Sequence, residues 1–144
     1  MSIHKLEELS SPALDRLDRE RSVVVLTVSP LEQHGPHLPL GVDAFTAQHF
    51  AQALAERIIA ERPGWSVVLA PPLYLGSFTF DDVGTVKVRQ RVIRDTLVDY
   101  GASLARAGFP SDGGRPIRII GVTGTAVARE VTVPLLEVAD ARVG

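Results

Sequence analysis

The sequence predicts a three-layer α/β domain in which a mostly parallel sheet carries helices on both faces. Three apolar runs, Ser22–Val28, Ser66–Ala70 and Ile117–Val122, are continuous rather than alternating, as expected of strands covered on both sides. Two long segments with helical spacing, Ala44–Glu61 and Arg89–Arg106, lie between them. Parallel neighbours need a crossover, and crossovers built from helices bring those helices onto the faces of the sheet. With 144 residues, the chain reads as a single domain spanning 1–144, long enough to bury a real core.

Each element has a local reason. Ser11-Pro12-Ala13-Leu14-Asp15 reads as a short helix with Ser11 as its cap and Pro12 at the first helical position, where a missing N–H costs nothing. In Ala44–Glu61, Phe50, Leu54 and Ile58 fall on one stripe, and Pro63-Gly64 stops the helix. Pro71-Pro72 forbids continuation of the second strand. Residues 73–84 form an aromatic, Gly-containing connection, and Thr85–Val88 alternates like a short strand. In Arg89–Arg106 the apolar residues Val92, Ile93, Leu97, Tyr100 and Leu104 make one helical face, with Gly108 placed as a left-handed stop. Residues 110–116 are a turn-rich linker, and 123–144 lack a clean period, with Pro134 inside.

Composition excludes several classes. With 15 basic and 17 acidic residues and a formal charge of −2, no basic field exists to hold a nucleic acid. The absence of cysteine removes disulfides, thiolate metal sites and thiol nucleophiles. No apolar run approaches the roughly 20 residues that span a bilayer. The amino-terminal residues, His4 among them, lack a leader pattern and are expected to be loose. The expectation is a soluble, cytoplasmic protein with no nucleic-acid or membrane partner.

The chemistry concentrates in one loop. Residues 30–43 read Pro-Leu-Glu-Gln-His-Gly-Pro-His-Leu-Pro-Leu-Gly-Val-Asp, directly after the first strand, where open α/β sheets bind ligands. Glu32 and His34, two apart in an extended segment, point to one side, and Asp43 lies just before a helix whose dipole favours a carboxylate. One imidazole and two carboxylates suit zinc or manganese, with iron as a further candidate, and oxygen-rich sites also admit magnesium. A metal ion can lower the pKa of a bound water from far above the neutral range to about 7, which makes hydroxide available at neutral pH. The competing reading is that Asp43 only caps the helix, His34 and His37 bond loop backbone, and Glu32 is solvated. His37 is as readily a loop brace as a donor to a ligand. His49 belongs to a helix, Asp81 and Asp82 to a solvated turn, and Ser77 has no histidine placed to activate it. Gly121-Val122-Thr123-Gly124 follows a strand but lacks the spacing and lysine of a phosphate loop.

The run Glu32-Gln-His-Gly-Pro-His-Leu-Pro-Leu-Gly-Val-Asp43 resembles the metal-binding signature of the creatininase (creatinine amidohydrolase) family. Leu75-Gly-Ser77 with Val83-Gly-Thr-Val86, and the helix end Leu104-Ala-Arg-Ala-Gly-Phe109, are similar to further family segments. The likeness covers residues 20–109, with 110–144 as a divergent tail. It implies a pair of divalent metals, with Glu32 and His34 each ligating one and Asp43 bridging them. It also implies a homo-oligomer that hydrolyses a small-molecule amide at a non-peptide C–N bond, cyclic amide or formamide, by a metal-bound hydroxide. No general acid or base is assigned.

The departures from the family pattern fall late in the chain. Where the family carries a histidine after the third strand, this chain has Thr125, and the further acidic ligand and pocket residues of the family have no counterpart. The resemblance therefore implies a C-terminally truncated version of the fold. Two function classes follow: a metal-dependent amidohydrolase, and a truncated, inactive creatininase-like domain lacking a complete dimetal site.

Overall fold

A computed structural model of the chain describes residues 2–77, 79, 81–106 and 119–122. Strand β2 (Ser22–Ser29) is its axis, because Val24 pairs with Val68 of β3 (Ser66–Leu69) on one side and with Ile119 of β5 (Ile119–Val122) on the other. β1 (Ser2–Lys5) extends the sheet beyond β3, and β4 (Leu73–Tyr74) pairs with the last residues of β2. All these pairings are parallel, as a chain that alternates strands with helical crossovers requires. The strands at 22 and 66 and the described part of the third run thus form as expected.

Helices α2 (Val42–Glu61) and α3 (Gln90–Arg106) cover opposite faces. Alternation along β2 divides the core accordingly. Val23 and Val25 face α2, with Val67 beside them. Val24 and Leu26 face the other side, where Leu97, Tyr100 and Leu104 of α3 pack together with Leu14 and Leu17 from the short helix α1 (Ser11–Asp15) and the residues after it. The three layers predicted from the sequence are therefore present. Val24, Val25, Val67 and Val68 are each under 2% exposed, and such burial contributes on the order of 2 kcal/mol per side chain.

Several local expectations are corrected. The stripe of α2 that meets the sheet is Ala44, Ala47, Ala51 and Ala55, not a stripe led by Phe50, which is 57% exposed. Leu54 and Ile58 only flank this core. Opposite β-branched valines already fill the interlayer space, so the helix approaches on its smallest side chains. α2 also begins at Val42, which places Asp43 inside its first turn. The cap of α1 is Ser10 rather than Ser11: the Ser10 carbonyl accepts from Ala13 and Leu14, and its hydroxyl from Ala13.

The amino terminus is not loose, since Ser2–Lys5 pairs with Ser66–Leu69 along its length. Leu73–Tyr74, read as connection, forms the short strand β4, and the register to β2 slips by one residue across Pro71-Pro72. Thr85–Val88 is not a strand. A single antiparallel bridge joins Val86 to Leu31, and the next ladder position is taken by a side chain, the Thr85 hydroxyl accepting from Gln33 N–H at 3.0 Å. Gly108, the 110–116 linker, Gly124, Thr125 and the rest of 123–144 lie outside the described residues. No helix among the described residues is long and apolar enough to cross a membrane.

Candidate metal centre

The loop that leaves β2 closes on itself before α2 begins. Glu32 N–H donates to the Leu40 carbonyl at 2.9 Å, which brings the two ends of the 32–40 segment together. Val86 N–H donates to Leu31 O at 2.9 Å, and the Gln33 bond to Thr85 lies alongside. Residues 82–86 thus strap the start of the loop in place. Gly84 makes that strap close: its φ is +90°, and a Cβ there would stand 2.8 Å from the Leu40 side chain. Gly35, at φ +81°, lets the chain reverse immediately after His34, a conformation that glycine adopts without strain.

This framework gathers the three residues singled out from the sequence. One ligand atom from each of Glu32, His34 and Asp43 lies within 4.8 Å of the others. Glu32 is 7% exposed, and the His34 and Asp43 side chains are 27% and 12% exposed, so the cluster is largely withdrawn from water. His34 Nδ1 lies 2.9 Å from the Glu32 carbonyl oxygen. A carbonyl can only accept, so Nδ1 carries the proton and donates, leaving the Nε2 lone pair free in the neutral ring. Metal-binding histidines are commonly fixed in this way by a backbone carbonyl.

Nε2 faces the Asp43 Oδ2 atom at 3.4 Å. That oxygen is buried without a hydrogen-bond partner, so with the ring neutral two lone-pair atoms face one another. The arrangement weighs against the competing reading of a structural loop. The cap residue of α2 is Gly41, and Asp43 sits one turn-position inside the helix, where the positive end of the helix dipole still favours its charge. A divalent cation fits this donor set: one imidazole nitrogen, two carboxylates and a buried oxygen left unsatisfied.

The remaining titratable residues stay apart. His37 is exposed, its ring folded over Gly35 so that a Cβ there would meet it at 3.3 Å. His49 stands edge-on to Phe50 at 6.2 Å, and His4 contacts Ser2 Oγ. Asp81 pairs with Lys87 at 2.8 Å on the surface, in keeping with a solvated turn. Sequence reasoning missed the hydroxyls of Thr27, Ser29 and Thr79, each buried without a partner. Polar residues inside an otherwise apolar strand were the available signal for the first two. It also missed the bracing by Leu40 and Thr85, which arises from contacts distant in sequence.

Comparison with known proteins identifies the family. The family model described as creatinine amidohydrolase matches residues 7–111. A mycofactocin precursor peptide peptidase of Mycobacterium ulcerans is 32% identical over 106 residues, covering 69% of this chain and 42% of the relative. One from Mycobacterium tuberculosis is 30% identical over 105 residues, covering 68% and 41%. This chain therefore spans about four-tenths of the length of the curated relatives it matches. Among solved structures, a creatinine amidohydrolase (creatininase) superposes with a TM-score of 0.68 at 25% identity, over 83% of this chain and 44% of the other. A creatininase variant of Zn-Zn type gives 0.67 at 25% identity, over 83% and 44%. A structure described as creatininase Mn gives 0.66 over 81% and 43%, and at 24% identity it speaks to fold alone. On the match across residues 7–111, this chain belongs to the creatininase family.

Proposed function

We propose that the chain is a metal-dependent hydrolase of an amide C–N bond, with Glu32, His34 and Asp43 holding a divalent ion. One observation carries the reading: the buried, unpartnered Asp43 Oδ2 faces His34 Nε2 at 3.4 Å, while the Glu32 carbonyl sets the imidazole tautomer. When bound, such an ion lowers the pKa of a coordinated water to about 7 and polarises an amide carbonyl. The chain's own residues do the rest. Glu32 and Asp43 contribute two negative charges in a dehydrated setting, His34 is held by its Nδ1–H bond, and the 82–86 strap keeps the three in register. Zinc and manganese are the preferred ions, with iron a further candidate. Creatininase structures described as Zn-Zn type and as Mn support the first two.

A non-peptide substrate, a small cyclic amide or formamide, follows from the family description as creatinine amidohydrolase. The peptide reading has its own support, because the curated relatives are named for a precursor peptide. Both readings break an amide C–N bond. Exposed apolar side chains around the loop and on the outer face of α2, among them Leu40, Phe45, Phe50 and Val86, support a homo-oligomer, as surface of this kind is commonly covered by a partner. A cytoplasmic location is part of the same proposal. A creatininase-like domain that holds an ion without turning over substrate is the second reading, supported by the three ligating residues of the cluster.

The test is hydrolysis by the metal-loaded chain of creatinine, N-substituted formamides and short peptides, with Glu32→Ala and His34→Ala as controls. Turnover of any of them that is lost in both variants supports the enzyme, and the substrate cleaved decides between the two amide classes. Metal binding without turnover of any substrate supports the inactive domain.

A further inference from the structure

We infer that the residues gathered in this centre fit one divalent ion, not the pair that the family resemblance implies. The inference rests on the proposed metal site and concerns how many ions that site holds. Ligand supply is the first argument. The cluster offers one nitrogen and two carboxylates, and the whole sequence contains four histidines and no cysteine. The other three histidines lie outside the cluster: His4 in β1 beside Ser2, His37 exposed beside Gly35, and His49 against Phe50. Residues 107–118 and 123–144 contain neither histidine nor cysteine. A second ion could draw only on oxygen ligands, the carboxylates of Asp112, Glu130, Glu137 and Asp140 among them.

Charge is the second argument. The two carboxylates of the described cluster neutralise one divalent cation, whereas two cations held by them alone would carry a net charge of +2 in a site whose acids are 7% and 9% exposed. Uncompensated buried charge is strongly disfavoured. Asp81 and Asp82, at the start of the strap, are both exposed, Asp81 paired with Lys87, and bring no compensating charge inward. The single-ion site has one nitrogen and two oxygen donors and leaves the ion's other positions to water. That oxygen-rich set suits manganese, and the imidazole also admits zinc.

The experiment is equilibrium dialysis of the purified 144-residue chain against Mn²⁺, with bound metal counted by plasma mass spectrometry and its state read by electron paramagnetic resonance. The expected result is one Mn²⁺ per chain, with the six-line pattern of a magnetically isolated ion, and loss of that ion in Glu32→Ala and His34→Ala variants of unchanged circular dichroism. Two ions per chain with a spin-coupled spectrum would overturn the single-ion inference and leave the metal site standing. No bound ion, or an ion retained by both variants, would overturn the site as well as its stoichiometry.

Discussion

The two ends of β2 are built to different standards. From Val23 to Leu26 every side chain is at most 3% exposed and is packed between layers of valine, alanine and leucine. Beyond that stretch the same strand carries Thr27 and Ser29, whose buried hydroxyls have no partner. Asp43 Oδ2 and Thr79 Oγ1 share that condition, and Thr79 packs with Pro30 around Gly76 just past the strand. Buried polar atoms are nearly always satisfied in native proteins. Their gathering at one end of one strand marks where local stability yields to chemistry, since departures from good packing concentrate at functional sites. The body of β2 holds the fold, and the loop beyond its carboxyl end carries the proposed ligands.

Substitutions at the two ends should therefore have opposite signatures. The largest effect belongs to the core around the body: Val67→Asp, on β3 beside Val23, places an unpaired carboxylate in the core and should cost more than about 4 kcal/mol, seen as loss of the cooperative urea transition. A folded variant would mean that the valine layers are not the core. At the other end, Asp43→Asn should weaken Mn²⁺ binding by about 100-fold or more while the Tm stays level or rises, because an amide replaces a buried, unpartnered carboxylate. Calorimetric titration and thermal melts together separate the two readouts, and a large fall in Tm would assign Asp43 a structural role instead. Ala51→Leu overfills the contact between α2 and the sheet and should cost about 1–3 kcal/mol, measured by denaturant midpoint, with metal affinity retained. Smallest of all, Thr27→Val removes an unsatisfied hydroxyl with little change of shape and should stabilise the fold by about 1 kcal/mol. Destabilisation of that size would show that Thr27 has a partner after all.

Much of this was legible in the sequence because periodicity and composition act locally. The valine runs of β2 and β3, the apolar face of α3 through Val92, Leu97, Tyr100 and Leu104, and the joint placement of Glu32, His34 and Asp43 all follow from neighbours along the chain. The failures share a cause. β1 was invisible because Ser2-Ile3-His4-Lys5 has no apolar pattern of its own and is a strand only by pairing with Ser66–Leu69. The face of α2 was misassigned because burial selected alanines for closeness to the sheet, while Phe45 and Phe50 point outward. Thr85–Val88 alternates like a strand, yet its partner is a loop that offers one bridge. Each of these depends on contacts between distant segments, which spacing alone does not encode.

Locating the ion directly is the decisive measurement: crystals of the chain soaked in Mn²⁺, with anomalous scattering recorded at the manganese edge. We expect one strong peak within coordination distance of His34 Nε2, Asp43 Oδ2 and a Glu32 carboxylate oxygen, with His34 Nδ1 still turned to the Glu32 carbonyl. A peak elsewhere, or a His34 ring rotated so that Nδ1 leaves that carbonyl while the cluster stays metal-free, would contradict the account.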